Sequence, residues 1–429
     1  MTPSARCQAA IELLETIESS LQPADTVLQS YFRKRRYAGG GDRRAIRSLV
    51  YAVLRKREQL DWWCRRSGGE INSRQRVLAA ICFGLAWEGV NLNAVFCNDR
   101  YGTQSLNIDE KRRSEAWLLD NLENSEQPEN IRLNFPEWLN GAFSKTLLPN
   151  LAEELQALNS EATVDLRVNS LKSSRDAVIG MLSVEGIKAS PMNFAPNGIR
   201  LHKRYPLRHL EIFKKGLFEP QDESSQIAVE LIGAALGDKI LDFCAGGGGK
   251  ALALSAAMEN CGQIVLHDVN ERCLVKAERR LERAGVTICE RLKNPNAAKD
   301  EFDIVIIDAP CSGSGVWRRN PERKWRITPT FLKQLIETQA TLLEDAARFV
   351  RPGGKLAYMT CSVLEAENAA QIEKFVMASP NPFDLIPVSE KSCEFKGLKT
   401  QNACETLLLT PWNHQTDGFF IALLKRREQ

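Results

Sequence analysis

The chain has 429 residues, of which 43% are hydrophobic and 26% charged, with a net charge of +3. That length exceeds one ordinary core and predicts two or three globular domains. No apolar run reaches the roughly 20 residues of a membrane-spanning helix, and twelve cysteines without a C-x-x-C pair, beside only four histidines, exclude a zinc ribbon or a disulfide framework and fit a reducing cytoplasm.

The first twenty residues lack a basic stretch followed by an apolar one, so no secretion signal is expected. Residues 1–125 carry apolar positions at helical spacing, as in AIELLETI and AIRSLVYAVLRKREQLDWW, and predict helices throughout. Residues 77–87, VLAAICFGLAW, read as a buried helix. RKRR (33–36), DRRAIR (42–47) and RKRE (55–58) crowd positive charge into this part. Residues 126–150 form a connector leading into a short helix. VDLRVNSLK (164–172) then predicts a strand, SSRDAVIGMLSVEG (173–186) a Ser-capped helix ending at glycine, and residues 187–201 a strand and a turn.

From about residue 224 the pattern changes. The apolar strands KILDF (239–243), QIVLHD (263–268), FDIVIID (302–308) and KLAYMTCS (355–362) alternate with amphipathic helices. That alternation predicts a parallel, doubly wound α/β sheet, whose ligands bind beyond the carboxyl ends of the strands. Two strand-end cysteines therefore fall on the ligand-binding rim: Cys311 in DAPCSGSG (308–315) and Cys361 in KLAYMTCS.

The first strand of this region continues as ILDFCAGGGGKALAL (240–254). Consecutive glycines at a strand-to-helix turn let a ligand lie against backbone N–H groups. Gly246, Gly248 and Ala251 fit G-x-G-x-x-A, and Asp268 closes the next strand, where an acid reaches ribose hydroxyls. Alone, this pattern indicates an adenosine-containing ligand and leaves NAD and S-adenosylmethionine both open. The cysteines separate them. Hydride transfer has no use for paired strand-end thiols. Methylation at carbon 5 of cytosine does, because that carbon becomes nucleophilic only after a thiolate adds to carbon 6. An ordinary thiol, with a pKa of about 8.5, is only slightly ionised at pH 7, so the site must favour the thiolate or take its proton on attack.

A second basic cluster, RRNPERKWR (318–326), follows the Cys311 loop, with Trp317 and Trp325 in or beside it. Basic side chains among aromatics suit a looped or single-stranded nucleic acid, with phosphates on Arg318, Arg319 and Arg323 and bases stacked on the rings.

ILDFCAGGGGK, DAPCSGSGVWRRNPERKW, YMTCSVLEAEN and DGFFIALLKR resemble the RNA 5-methylcytosine methyltransferases of the Nop/Sun family. FEPQDESSQIA (218–228) and LRVNSLK (166–172) are similar to segments preceding the catalytic domain in that family. GDRRAIRSLVYAVLRKREQLDWW resembles the helical RNA-binding domain of the antitermination factor NusB, a fusion typical of the bacterial small-subunit rRNA cytosine methyltransferases. The resemblance implies an all-α NusB-like domain (1–140), a small α+β, RRM-like domain (141–222) and a Rossmann-like S-adenosylmethionine-dependent methyltransferase domain (223–429). It implies Cys361 as nucleophile, Cys311 as the cysteine assisting product release, and Asp308 as the acid between cofactor and target cytosine. Cys244, Ala245, Gly246, Gly247, Gly248, Gly249 and Lys250 match the cofactor loop, and Asp268 the ribose acid.

The pattern departs from the family at three places. Ala-Pro-Gly-Gly-Lys-Thr is replaced by Gly246–Ala251, so a looser loop is expected. The acid near the adenine falls on Asn294, and the acid two residues after Asp268 is Asn270, so modest cofactor affinity is expected. The resulting expectation is a cytoplasmic, monomeric, metal-free enzyme acting on RNA, in the first place 16S ribosomal RNA rather than transfer RNA. Its rivals are an RNA-binding assembly factor without catalysis and an NAD-type oxidoreductase, the second leaving both cysteine motifs unexplained.

Overall fold

A computed structural model describes residues 1–292, 301–378, 382–388, 398 and 405–428. They fall into two compact units, Met1–Ser160 with Trp317–Ile327, and Glu161–Val316 with Thr328–Gln429.

The first unit is helical, as its periodicity predicts. Helix Gly40–Arg55 buries Ile46, Leu49, Val50, Val53 and Leu54, the i, i+3, i+4, i+7, i+8 stripe of an amphipathic helix. Helix Pro3–Ser19, capped by the Thr2 hydroxyl, contributes Leu13, Leu14 and Ile17 to the same core. The helix expected over 77–87 instead spans Ser73–Cys82, and the chain turns at Gly84, whose φ of 65° suits glycine.

The basic segment after the cysteine loop departs from expectation. Trp317 is 1% exposed and meets Phe143 edge-on at 5.5 Å, while Arg318 is buried. Lys324 is fully buried, with Nζ donating to the Arg55 carbonyl at 3.3 Å and lying 4.6 Å from the Trp325 ring. Trp325 Nε1 donates to the Leu54 carbonyl at 2.6 Å. These side chains are therefore core and anchor groups of the helical unit, not a free grip on RNA. The apolar stem of lysine and the faces of two indoles gain more from burial than a solvated surface would return.

The second unit holds two sheets. Strands β1 (Val164–Val168), β2 (Ala189–Pro191), β3 (Gly198–Leu201) and β4 (Phe218–Pro220) form an antiparallel sheet in the order β2-β3-β1-β4. Residues 187–201 thus make a strand pair rather than one strand and a turn. Helix Arg175–Val184, capped by Ser174, buries Val178 and Leu182 among Leu166, Val168 and Ile199.

The larger sheet contains β5 (Lys239–Asp242), β6 (Gln263–Leu266), β7 (Cys289–Arg291), β8 (Phe302–Asp308), β9 (Val350–Thr360), β10 (Phe383–Ile386), β11 (Thr406–Leu409) and β12 (Phe419–Arg426). Its order is β10-β12-β9-β8-β5-β6-β7, with β11 beside β12. The strands β6, β5, β8 and β9 run parallel, as the alternating pattern predicts, and β7, which it did not predict, joins them parallel to β6. Beyond them β12 is antiparallel to β9, β10 and β11, an edge that the alternation did not announce. Both faces of the sheet are covered. Ile304, Ile306, Ala357 and Met359 enter one core, and Val305, Ile307, Leu356 and Tyr358 enter the other. Burial on both faces is why these strands read as unbroken apolar runs.

Candidate active site at the carboxyl edge of the sheet

Strand β8 lies between β5 and β9, with Asp308 in register with Met359 and Ile306 with Asp242. Parallel pairing brings the carboxyl ends of these strands to one edge. Cys361 follows β9 directly, and Cys311 stands three residues past the end of β8. Their Sγ atoms are 3.2 Å apart, although fifty residues separate them in sequence. The Gly315 amide donates to the Cys361 carbonyl at 3.0 Å, and Gly418 N donates to the Gly315 carbonyl at 2.8 Å. A Cβ on Gly315 would sit 2.1 Å from the Gly418 oxygen, so only glycine permits this approach. The Cys311 thiol is pushed well up by hydrogen bonding to Cys361, then by burial and by the nearby charges of Cys361 and Glu367.

The glycine loop leaves β5 on the other side of β8. Ala245 N donates to the His267 carbonyl at 2.9 Å, and Gly248 N to the Ala245 carbonyl at 2.8 Å. Gly246 N donates to Asp268 Oδ2 at 2.8 Å, and an Arg280 guanidinium nitrogen donates to the Gly247 carbonyl. The loop is thus tied by four hydrogen bonds, three of them on glycines. Gly246 and Gly248 take φ of 52° and 72°, and a Cβ on Gly248 would meet the Ala277 Cβ at 2.9 Å. Around Gly246 and Gly249 a Cβ would meet nothing nearer than 3.9 Å among the described residues, which leaves an open backbone cradle at the start of helix Gly249–Ala257. Such a cradle beside carboxylates suits a nucleoside with an anionic tail.

Lys250 is buried and donates to Asp308 Oδ2, and its Nζ lies 5.2 Å from the Phe419 ring. Asp308 is 40% exposed, so it faces both the lysine and solvent. Asp268 Oδ1 accepts from Asn270 N at 2.7 Å, while the Asn270 side chain caps helix Glu271–Ala284. Asparagine at that position therefore has a local structural use. Burial pushes the Cys244 thiol up to about 12, making it a poor nucleophile. Asn294 lies outside the described residues.

Two residues of this edge escaped the sequence reading. Asp242 ends β5, is 1% exposed, and has its carboxyl pushed up to about 7 by burial, which outweighs Lys250. Its signal was visible: the adjacent strands end in Asp242 and Asp308, and Asp268 closes the run after β6. Glu367, fully buried, binds the loops of both cysteines. Glu367 stands within the motif YMTCSVLEAEN, but nothing six residues past Cys361 marks it as a partner of both cysteine loops.

The chain matches two family models. Residues 231–425 match that of the 16S rRNA methyltransferase RsmB/F, and residues 135–208 a ferredoxin-like domain of the RsmF/B-like methyltransferases. It is 30% identical over 416 residues to a probable ribosomal RNA small subunit methyltransferase B of Synechocystis sp., covering 90% of this chain and 91% of that protein. It is 29% identical over 405 residues, with the same coverage, to ribosomal RNA small subunit methyltransferase B of Photorhabdus laumondii. The solved structure of PH0851 superposes with a TM-score of 0.81 at 23% identity, covering 99% of both chains, a likeness of fold. A methyltransferase homolog from Pyrococcus horikoshii superposes with a TM-score of 0.59 at 26% identity, over 69% of this chain and 97% of that one. With sequence likeness running through nearly its full length and both matched models drawn from one group, the chain belongs to the RsmB/F family of 16S rRNA methyltransferases.

Proposed function

We propose that this protein methylates carbon 5 of a cytosine in small-subunit ribosomal RNA through a covalent bond between Cys361 and carbon 6 of that base. The observation that carries this reading is the pair of thiols 3.2 Å apart at the ends of two adjacent parallel strands. S-adenosylmethionine supplies an electrophilic methyl group when bound. Residues Cys244 to Lys250 would hold it along the open glycine backbone, with Asp268 at the ribose hydroxyls.

Cys361 attacks as the thiolate, forming the S–C6 bond and pushing the C5=C6 electron pair toward carbon 5, which then takes the methyl group. Release requires that the carbon 5 proton leave and the S–C6 bond break. Cys311, kept protonated at neutral pH, gives its proton to the departing Cys361 sulfur and receives the one lost from carbon 5. Cys361 then loses its proton to solvent, the single proton released per methyl transferred. Asp308, held by Lys250, stands between donor and base, where its charge orients the cytosine. The base must first leave its stack, which costs a few kcal/mol and least in a looped strand. The helical unit offers Arg33, Arg43, Arg44 and Arg47 around one surface hollow with Phe32, which supports its role as the RNA anchor.

The test is to incubate wild type, Cys311→Ala and Cys361→Ala with S-adenosylmethionine and a small-subunit rRNA transcript, then look for a denaturation-resistant protein–RNA adduct. The adduct should accumulate in Cys311→Ala and vanish in Cys361→Ala, with methyl transfer falling by about a thousandfold or more in the latter. If no variant forms an adduct or methylates any RNA, an RNA-binding assembly factor becomes the better reading.

A further inference from the structure

We infer that Glu367 is a positioning residue that fixes the two cysteine loops against each other and so sets the approach of Cys311 to Cys361. The inference rests on the proposed roles of those cysteines and adds a residue to the machinery. Glu367 Oε1 accepts from the Ser312 amide at 2.8 Å and from Gln339 Nε2 at 3.0 Å. Oε2 accepts from the Ser312 hydroxyl at 2.5 Å and from the Ser362 hydroxyl. Ser312 directly follows Cys311, and Ser362 directly follows Cys361. One carboxylate therefore grips the residue after each cysteine, and its two oxygens are met by four donors.

Neighbouring bonds reinforce the grip. Ser314 Oγ lies 2.9 Å from Ser362 Oγ, and the Val363 amide donates to Ser314 Oγ at 2.9 Å. Gln339 Nε2 also donates to the Pro310 carbonyl at 3.0 Å, and the Tyr358 hydroxyl donates to the Glu367 carbonyl at 2.7 Å. Glu367 itself is 0% exposed. A buried carboxylate surrounded by donors is stable only while those donors stay aimed at it, so loop positions and charge sustain each other. The charge has a second consequence, since it helps to hold the Cys311 thiol protonated. Glu367→Gln keeps the volume but turns one acceptor into an N–H donor, which then faces the serine donors head-on.

The test reads the cysteine pair itself, without RNA or cofactor. Diamide takes two electrons and two protons from adjacent thiols as the S–S bond forms, so its rate reports Sγ proximity. In Glu367→Gln this crosslinking should slow by about tenfold or more, the sensitivity expected when reacting atoms are displaced by a fraction of an ångström. The pH midpoint for alkylation of Cys311, followed by peptide mass mapping, should move to lower pH. The circular dichroism spectrum and affinity for S-adenosylmethionine should be unchanged. With RNA, kcat should fall while KM stays within about threefold. Crosslinking at the wild-type rate with an unmoved alkylation midpoint overturns the inference. If Glu367→Gln does not fold, Ser312→Ala serves instead: slower crosslinking supports the grip, and a wild-type rate overturns it. Because crosslinking needs no methyl transfer, failure of the cytosine reading is visible separately, as absence of the RNA adduct in Cys311→Ala while the wild-type thiols still couple rapidly.

Discussion

The two halves of the carboxyl edge are built by opposite means. Beyond β8 and β9 the space is filled: Ser312, Ser314, Ser362, Gln339 and Glu367 interlock, and Gly315 meets the backbone at Gly418. Beyond β5 and β6 the described residues leave the space open, with glycine backbone bare around Gly246 and Gly249 and carboxylates at its margin. A covalent step depends on the direction and distance of one sulfur, which rigid packing supplies. Binding a nucleoside needs room and outward-facing donors, which missing side chains supply. The same strand, β8, serves both, because it ends in Asp308 beside Lys250 and continues to Cys311.

That contrast predicts separable failures. The largest effect is expected from Gly315→Ala, whose methyl group would be driven into the Gly418 carbonyl. Overpacking of this kind should destabilise the protein by about 3 kcal/mol, read by chemical denaturation. Diamide crosslinking of Cys311 with Cys361 should also slow, with cofactor affinity nearly intact. Gly248→Ala should do the reverse. Its φ of 72° and its 2.9 Å approach to Ala277 penalise any side chain, at a cost of 1–2 kcal/mol for the backbone alone. S-adenosylmethionine should bind about tenfold more weakly by calorimetry, with crosslinking at the wild-type rate. If each variant impaired both properties equally, the separation of the two halves would be wrong.

The smallest effect concerns Asp242. Its native pKa of about 7 lies above the ordinary carboxyl value because of burial. The neutral form is therefore favoured in the fold. Its contribution to stability is full below about pH 4 and is lost as pH rises through about 7. Asp242→Asn should accordingly raise the melting temperature at pH 8 by a few degrees, with the advantage shrinking toward pH 5. An advantage independent of pH would show that the carboxyl is not titrating in that range.

Some of this was legible from residues alone. Short apolar runs alternating with amphipathic stretches determined the parallel strands β5, β6, β8 and β9, because strand and helix periods are local properties of the chain. Rim positions for Cys311, Cys361, Asp308 and Asp268 followed from strand direction. The paired cysteines then selected the chemistry, and the resemblance assigned their roles. In the basic segment 318–326 the reading failed at Arg318, which is buried, while Arg319 and Arg323 are half-buried, because charge and aromatic content do not reveal burial. Lys324 and Trp317 look like surface groups in sequence and are core in the fold. Strand β7, from Cys289 to Arg291, is too short and too polar to stand out by period.

What the sequence by itself determined is therefore the list of strand ends and the reactive groups placed on them. Only the tertiary structure decided that β8 and β9 are neighbours, that two sulfurs fifty residues apart approach to 3.2 Å, and that Glu367 binds the serine after each. The physical reason is range. Periodicity and capping act within a few residues, whereas a buried carboxylate chooses its donors from whatever the strand order brings within 3 Å.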